Sequence, residues 1–136
     1  MNHFLIKSEP DTYSYQDLVK EKRTVWSGIA AAPALLQMRS MRKGDLAFFY
    51  HTGKEKQIVG IVKIVSDPYP DPAGNDTKLV VVDVQPGELL SRPVTLTEIK
   101  GIKELSTMPL VRIGRLSVQP VTEKEWNTIL TLSKKP

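Results

Sequence analysis

Short apolar runs recur along the chain with the composition of β-strands. The first run, HFLIK, is followed by SEPDTYS, whose proline and small polar residues mark a loop. After Asp45 come DLAFFYH, QIVGIVKIV and KLVVVDVQ, rich in β-branched and aromatic residues and separated by TGKEK and the proline-rich SDPYPDPAGNDT. Alternation in these runs is incomplete. We therefore expect a largely antiparallel sheet, buried on both faces for part of its length, as in a closed or strongly curled sheet packed by helices.

Capping-box signals predict the starts of three helices, in SYQDLVKEK, TLTEIK and TEKEWNTIL. In each, a Ser or Thr precedes an acidic residue by three positions: Ser14 and Asp17, Thr95 and Glu98, Thr122 and Glu125. Another helix is predicted in APALLQMRSM, where Pro33 suits the first turn, and it should end before Lys43. Together the elements predict an α+β protein with a barrel-like sheet and helices at its ends.

The segment GRLSVQPVTEKEW contains a β-prone run that is expected to stop at Pro120, before the last helix. On a strand, Arg115, Ser117 and Gln119 would point the same way because they are two residues apart. All three side chains can donate hydrogen bonds. They therefore face either water or a ligand.

Length and composition bound the kind of protein. We expect the 136 residues to form one domain, 1–136, with a short basic tail at 133–136. A formal charge of +4 is consistent with a polyanion partner. No cysteine is present, which excludes disulfides and thiolate metal sites. The sequence has no basic leader and no apolar run of roughly 18 residues, so no membrane association and a cytoplasmic location are predicted.

Signatures of enzymes are scarce. There is no phosphate-binding glycine loop and no Gly-x-Ser-x-Gly motif, and the two histidines, His3 and His51, cannot build a multi-histidine metal site. Most aspartates lie in predicted loops and caps, where solvation and turn formation explain them. We therefore predict no catalytic residue, no metal and no cofactor.

A few segments instead carry groups suited to holding a nucleobase. Trp26 alone is typical of a core residue, but Ser27 and Gly28 after it offer hydrogen-bonding groups and a turn that permits close approach. His51 at a strand end is typical of a loop anchor, and Arg115 of a surface cation whose planar fork also suits phosphate. An aromatic surface, polar groups and nearby cations are what a protein needs to hold one flipped-out or single-stranded base.

Several motifs, in this order and spacing, resemble the EVE domain family, whose fold is PUA-like. These are KSEPDTYSYQDLV, VWSGI, MRSMRKGDLAFFYHT, IVGIVKIV, YPDP, RPVTLTEIK and GRLSVQPVTEKEW, and they cover nearly the whole chain. The resemblance implies a small β-barrel of about six mostly antiparallel strands flanked by short helices. It also implies a pocket that accepts a modified base of DNA or RNA, by analogy with YTH domains, which hold a methylated adenine in an aromatic cage.

Matched position by position, the resemblance implies a base-binding pocket formed by Lys7, Ser8, Trp26, Ser27, Gly28, Tyr50, His51, Arg115, Ser117 and Gln119. The chain departs from the family where an Asn-Tyr-Gln-Ala stretch is usual, because it has AAPA at positions 31–34. The implied partner is a nucleic acid that carries a modified base.

Two other functions stay open at this level. Some ASCH-type proteins of the wider PUA-like group resemble amidohydrolases acting on acylated cytidines, and Lys7 and Glu9 beside Ser8 offer the same residue types, although neighbours on a strand point apart. A protein-interaction scaffold with a degenerate pocket is the other alternative. Apolar side chains exposed around Leu35 and Leu36 would favour it.

Overall fold

A computed structural model describes residues 1–74 and 78–135 of the chain. The strands, in chain order, are His3–Ser8 (β1), Thr24–Trp26 (β2), Leu46–His51 (β3), Gln57–Ile64 (β4), Tyr69–Pro70 (β5), Val80–Thr95 (β6) and Val118–Val121 (β7). The helices are Tyr15–Glu21 (α1), Ala32–Ser40 (α2), Leu96–Lys100 (α3), Pro109–Arg112 (α4) and Glu123–Ser133 (α5), with a 3₁₀ turn at Lys103–Leu105.

The strands form one mixed sheet in the order β2-β6-β4-β3-β1-β7, and β5 pairs with β6 beside this path. β1 and β3 run parallel, whereas the other described pairs are antiparallel. β1 and β2 stand near opposite ends of this order and yet line one cleft, because the sheet curls into a half barrel. The predicted α+β class with a barrel-like, mostly antiparallel sheet is confirmed.

Each face of the sheet has its own hydrophobic core. One core contains Ile6 and Phe49, and α1 and α2 pack on it through side chains such as Leu18. The other contains Leu5 and Phe48, and it is covered by α3, α4, α5 and the 3₁₀ turn. Successive residues of β1 and β3 therefore enter opposite cores, which explains why these strands lack a clear polar face.

The three predicted capping boxes are confirmed at α1, α3 and α5. In each, the side-chain oxygen of the N-cap residue accepts a hydrogen bond from the acid's backbone N–H, and the carboxylate accepts one from the N-cap N–H. α2 has Pro33 in its first turn and ends before Lys43, as predicted. The structure adds two short helical elements that the sequence does not predict, the 3₁₀ turn and α4.

β6 is much longer than the predicted KLVVVDVQ strand. It continues through Pro86, Gly87 and Pro93 and reaches Thr95 without a turn. Register shifts around Gly60 in the β4–β6 pairing let the long strand bend. A Cβ atom on Gly87 would lie 2.9 Å from the Ile61 carbonyl oxygen, so the glycine there serves close backbone approach.

The proline-rich segment before β6 contains the two-residue β5 and is otherwise irregular. Residues 75–77 of this predicted loop lie outside the described residues, as does Pro136 at the end of the predicted tail. Ser133, which the predicted tail includes, belongs to α5 and is buried, whereas Lys134 and Lys135 are exposed.

Pro120 does not stop the last strand, which corrects the sequence prediction. β7 runs from Val118 to Val121 and pairs Pro120 with Phe4 of β1. A proline is tolerated there because β7 is an edge strand of the sheet. Arg115 and Ser117 precede the strand, so the expected arrangement of these two residues and Gln119 on one strand face is wrong.

Candidate nucleic-acid interface

A cleft of about 460 Å³ opens where β1 and β2 end. It is lined by residues 7–9, 12–13, 24–27 and 29. This volume lies within the range of about 300–1,000 Å³ that is usual for ligand pockets. Of the ten predicted site residues, the structure brings four to this cleft: Lys7, Ser8, Trp26 and Ser27.

Trp26 belongs both to the cleft wall and to the core. Its side chain is 8% exposed and makes edge contacts with Phe49 and Tyr13, at centroid distances of 5.5 Å and 6.1 Å. The indole Nε1 is buried and has no hydrogen-bond partner among the described residues. The indole therefore presents only a small part of its carbon surface to the cleft, and its N–H is turned away from solvent.

The turn after β1 is held by its own hydrogen bonds. The Ser8 hydroxyl donates to the Tyr13 carbonyl oxygen at 2.5 Å, and the Glu9 carbonyl oxygen accepts from the backbone N–H groups of Thr12 and Tyr13 at 2.9 Å and 2.8 Å. The Glu9 carboxylate accepts from the Thr52 hydroxyl at 3.3 Å. The lining of the cleft thus includes a preformed polar turn as well as the indole.

Gly28 has a φ of +81°, with no atom within 4 Å of where a Cβ would lie. The residue supplies a left-handed turn between Ser27 and Ile29, which both line the cleft. Its contribution is to the backbone conformation rather than to close packing.

Lys7 reaches from the cleft to a second cavity on the other side of β1. Its Nζ donates to the Gly114 carbonyl oxygen at 2.8 Å and lies 5.9 Å from the centre of the Tyr50 ring. Burial lowers the pKa of Lys7 and raises that of Tyr50. The second cavity, of about 190 Å³, is where the structure places Tyr50.

His51 lies behind the cleft, where it joins α1 to the loop after β3. Its Nε2 accepts the backbone N–H of Tyr15 at 3.0 Å, so the ring proton is on Nδ1, which donates to Glu55 at 2.8 Å. The hydrogen bond from His51 lowers the pKa of Glu55. This geometry is that of the loop anchor considered from the sequence.

The remaining three predicted residues do not line the cleft. Arg115 is exposed in the turn before β7, and the Ser117 carbonyl oxygen accepts from the backbone N–H of Lys7 at 3.0 Å. Gln119 is fully buried, and its Nε2 donates to the Leu116 carbonyl oxygen at 3.0 Å. Its Oε1 has no partner among residues 1–74 and 78–135.

Sequence reasoning missed several cleft residues, above all Tyr13 and Val25. Tyr13 lies in a segment that reads as an ordinary loop, and Val25 alternates with Trp26 on a three-residue strand. The one signal for Tyr13 is its place in the KSEPDTYS motif, four residues after Glu9. Only the hydrogen bonds of the turn bring it next to the indole.

Lys7 and Ser8, the residues that suggest catalysis, make hydrogen bonds to different partners. Lys7 Nζ donates to Gly114 and the Ser8 hydroxyl donates to Tyr13, so they do not form a hydrogen-bonded nucleophile–base pair. In the described part of the chain, no three His, Asp or Glu side chains are grouped to hold a metal ion. Its helices are also all too short or too polar to cross a bilayer.

The protein is therefore a small α+β protein whose curled sheet leaves a cleft between the ends of β1 and β2. The chain belongs to the EVE domain family, whose model matches residues 2–132. Among relatives, human thymocyte nuclear protein 1 is 32% identical over 98% of this chain and 75% of its own length.

Several solved structures are similar to this chain over nearly its whole length. Rpa0253 from Rhodopseudomonas palustris has a TM-score of 0.94 and 39% identity, covering 98% of this chain and 93% of that one. Human THYN1 protein in complex with 5-methylcytosine-containing DNA has a TM-score of 0.91 and 32% identity, covering 100% and 99%. An ASCH protein from Zymomonas mobilis has a TM-score of 0.63 at 12% identity over 96% and 95%, a likeness of fold alone.

Proposed function

We propose that this chain is a non-catalytic DNA-binding module that holds a modified base, such as 5-methylcytosine, in the cleft beside Trp26. The observation that carries the proposal is the cleft itself. It joins an aromatic wall to a preformed polar turn in a chain that matches, over its full length, a relative solved with 5-methylcytosine-containing DNA.

In this proposal the base leaves the stack and enters the cleft that Trp26 and the Ser8–Tyr13 turn line. Stacking of a base on an aromatic side chain is worth about 1–3 kcal/mol. The small exposed surface of Trp26 favours contact with the ring edge and with Tyr13, which packs against it. The Ser8 hydroxyl oxygen, whose proton is used by Tyr13, remains able to accept a hydrogen bond from an exocyclic amine.

The net charge of +4 supports attraction to the phosphate backbone. Phosphate contacts carry no information about the base. Affinity should therefore fall with salt, whereas the ratio of affinities for modified and plain DNA should persist.

Two features weigh against the alternatives. Lys7 and Ser8 donate to different backbone carbonyl oxygens, which disfavours an amidohydrolase mechanism that would use them as a pair. Leu36 is 59% exposed but Leu35 is only 5% exposed, so only one of the two leucines that would favour a scaffold is at the surface. A cytoplasmic location stays a prediction from the sequence.

The test is a fluorescence anisotropy titration with duplexes that differ by one methyl group, and with RNA of the same sequence. Trp26→Ala should lose about 1–3 kcal/mol for methylated DNA, roughly 5- to 150-fold in affinity, and bring the methylated-to-plain ratio towards one. Trp126→Phe provides the control, because Trp126 stacks on Phe48 in the other core.

A second pair of variants guards against misfolding of Trp26→Ala. Val25 lines the cleft and is 44% exposed, whereas Val19 on α1 lines neither cavity and is 43% exposed. Val25→Glu places a carboxylate in the cleft and should weaken DNA binding more than Val19→Glu does. Equal binding by the two glutamate variants, or a wild type that binds methylated and plain duplexes alike, would reject the base pocket.

A further inference from the structure

We infer that the second cavity, beside Lys7 and Lys56, is a phosphate subsite that holds the nucleic-acid backbone next to the base in the cleft. This inference rests on the proposed function and gives a separate role to a cavity next to the cleft, which two of the predicted pocket residues, Lys7 and Tyr50, help to line. The cavity lies between β3 and the turn before β7 and has a volume of about 190 Å³. A water molecule occupies about 30 Å³ of the liquid, so the cavity has room for a phosphate group with some of its hydration shell.

The donors in the cavity are suited to an anion. Lys7 and Lys56 contribute ammonium groups, and no carboxylate is among the lining residues. Lys7 Nζ uses one proton for the Gly114 carbonyl oxygen and keeps two for a ligand. The backbone of Lys56 is fixed, because its carbonyl oxygen accepts from Leu96 at 2.8 Å.

Tyr50 adds a neutral donor. The residue is 4% exposed and lines the cavity together with Lys7 and Lys56. Burial raises the pKa of Tyr50, so the hydroxyl keeps its proton at neutral pH and can donate it to a phosphate oxygen. An anion bound in the cavity would accept this hydrogen bond together with those of the two lysines, and hydrogen bonds to a charged acceptor are the stronger kind.

The carboxylates nearest to the cavity are already engaged. Glu9 lies against Gly53 and accepts from the Thr52 hydroxyl at 3.3 Å. Glu55 accepts from His51 at 2.8 Å and from Gln57 at 3.2 Å. Their charges weaken the positive potential, but neither carboxylate lines the cavity.

Position links this cavity to the base cleft. Lys7 lines both, and Ser8, the next residue of β1, lines the cleft. A nucleotide whose base occupies the cleft would thus have its sugar–phosphate backbone close to the second cavity. This division agrees with the general rule that phosphate contacts position a protein and base contacts specify the sequence.

The first experiment is a DNA titration at several salt concentrations with Lys56→Ala and the control Lys63→Ala. Lys63 is exposed on β4 and lines neither cavity. Lys56→Ala should lower affinity for methylated and plain duplexes by the same factor, roughly fivefold at low salt. It should also reduce the slope of log affinity against log salt by about 0.9. Equal behaviour of the two variants, or a loss confined to methylated DNA, would overturn the inference.

The second experiment uses inorganic phosphate alone, observed by amide chemical shifts. Saturable shifts are expected at Gly53 and Gly114, and Tyr50→Phe should weaken phosphate binding roughly three- to tenfold. A wild type that binds phosphate at these residues but does not bind DNA would reject the proposed function and leave the anion site standing. A wild type that binds DNA with no phosphate shifts at these glycines would reject the anion site alone.

Discussion

Gly60 on β4 should be intolerant of even one added methyl group, because the Tyr15 ring occupies the space where its side chain would be. A Cβ atom at Gly60 would lie 2.6 Å from the ring atoms Cε1 and Cζ of Tyr15. The glycine does not have a positive φ, so available space, and not backbone conformation, excludes a side chain.

The cost follows from how firmly the ring is held. Tyr15 is 2% exposed, packs its ring edge-on against Phe49 at 5.5 Å, and donates its hydroxyl to the Ile61 carbonyl oxygen at 2.9 Å. Overpacking costs about 1–3 kcal/mol and a lost hydrogen bond about 1 kcal/mol more. Gly60→Ala should therefore lower the free energy of unfolding by about 2–4 kcal/mol.

The assay is urea unfolding of Gly60→Ala beside Gly101→Ala. Gly101 has a helical φ of −84°, and the nearest atom to its added Cβ is 3.5 Å away, so this control should be neutral or slightly stabilising. Tyr15→Leu and the double variant complete a cycle. Removal of the ring should recover at least about 1 kcal/mol of the alanine's cost. Wild-type stability of Gly60→Ala, or strict additivity in the cycle, would refute the clash.

Further predictions concern charge, the histidine anchor and the indole. Glu98 accepts two hydrogen bonds of 2.8 Å from Arg92, and these lower the pKa of Glu98 from 4.5 to about 2. The ionised carboxylate therefore stabilises the fold above pH 4.5, and this stabilisation is lost as the pH falls towards 2. Glu98→Gln should accordingly reduce stability at pH 7 and flatten its decline between these two pH values in urea titrations; an unchanged profile would contradict this. His51→Ala leaves the buried N–H of Tyr15 without its acceptor and should cost about 1–3 kcal/mol in urea unfolding, and a loss below about 0.5 kcal/mol would be inconsistent. Trp26→Phe removes an N–H that has no partner among the described residues and whose burial costs about 1–3 kcal/mol. Calorimetry should therefore find stability within about 1 kcal/mol of wild type, and a larger loss would argue that the N–H has a partner.

Much of the fold could be predicted from local signals in the sequence. A capping box depends on residues three positions apart, so Ser14, Thr95 and Thr122 identify helix starts without tertiary information. Runs that lack alternation likewise predict strands covered on both faces, as in β3.

The predicted strands ended too early at two prolines, because whether a strand accepts a proline depends on the position of that proline in the sheet. Pro120 is accepted because β7 has an open edge, and Pro86 pairs with Val62 beside a register shift. Neither the edge nor the shift can be read from the sequence. Gln119, which looks available on a local strand pattern, is fully buried, and its Nε2 donates to the Leu116 carbonyl oxygen.

The part of the candidate site whose residues are close in sequence could be predicted. The part that depends on how the sheet curls could not. Lys7 and Ser8 are neighbours on β1, and strand alternation sends their side chains to opposite faces. Lys7 therefore bonds Gly114 beside the second cavity, whereas Ser8 bonds Tyr13 in the cleft. If the proposed function holds, this dipeptide contacts both the phosphate backbone of the DNA, through Lys7, and the base, through Ser8. The geometry of β1 then sets the distance between the two contacts. Exchange of the two residues, Lys7→Ser with Ser8→Lys, should then abolish binding even though composition and net charge are unchanged, whereas a contact based on charge alone would survive it.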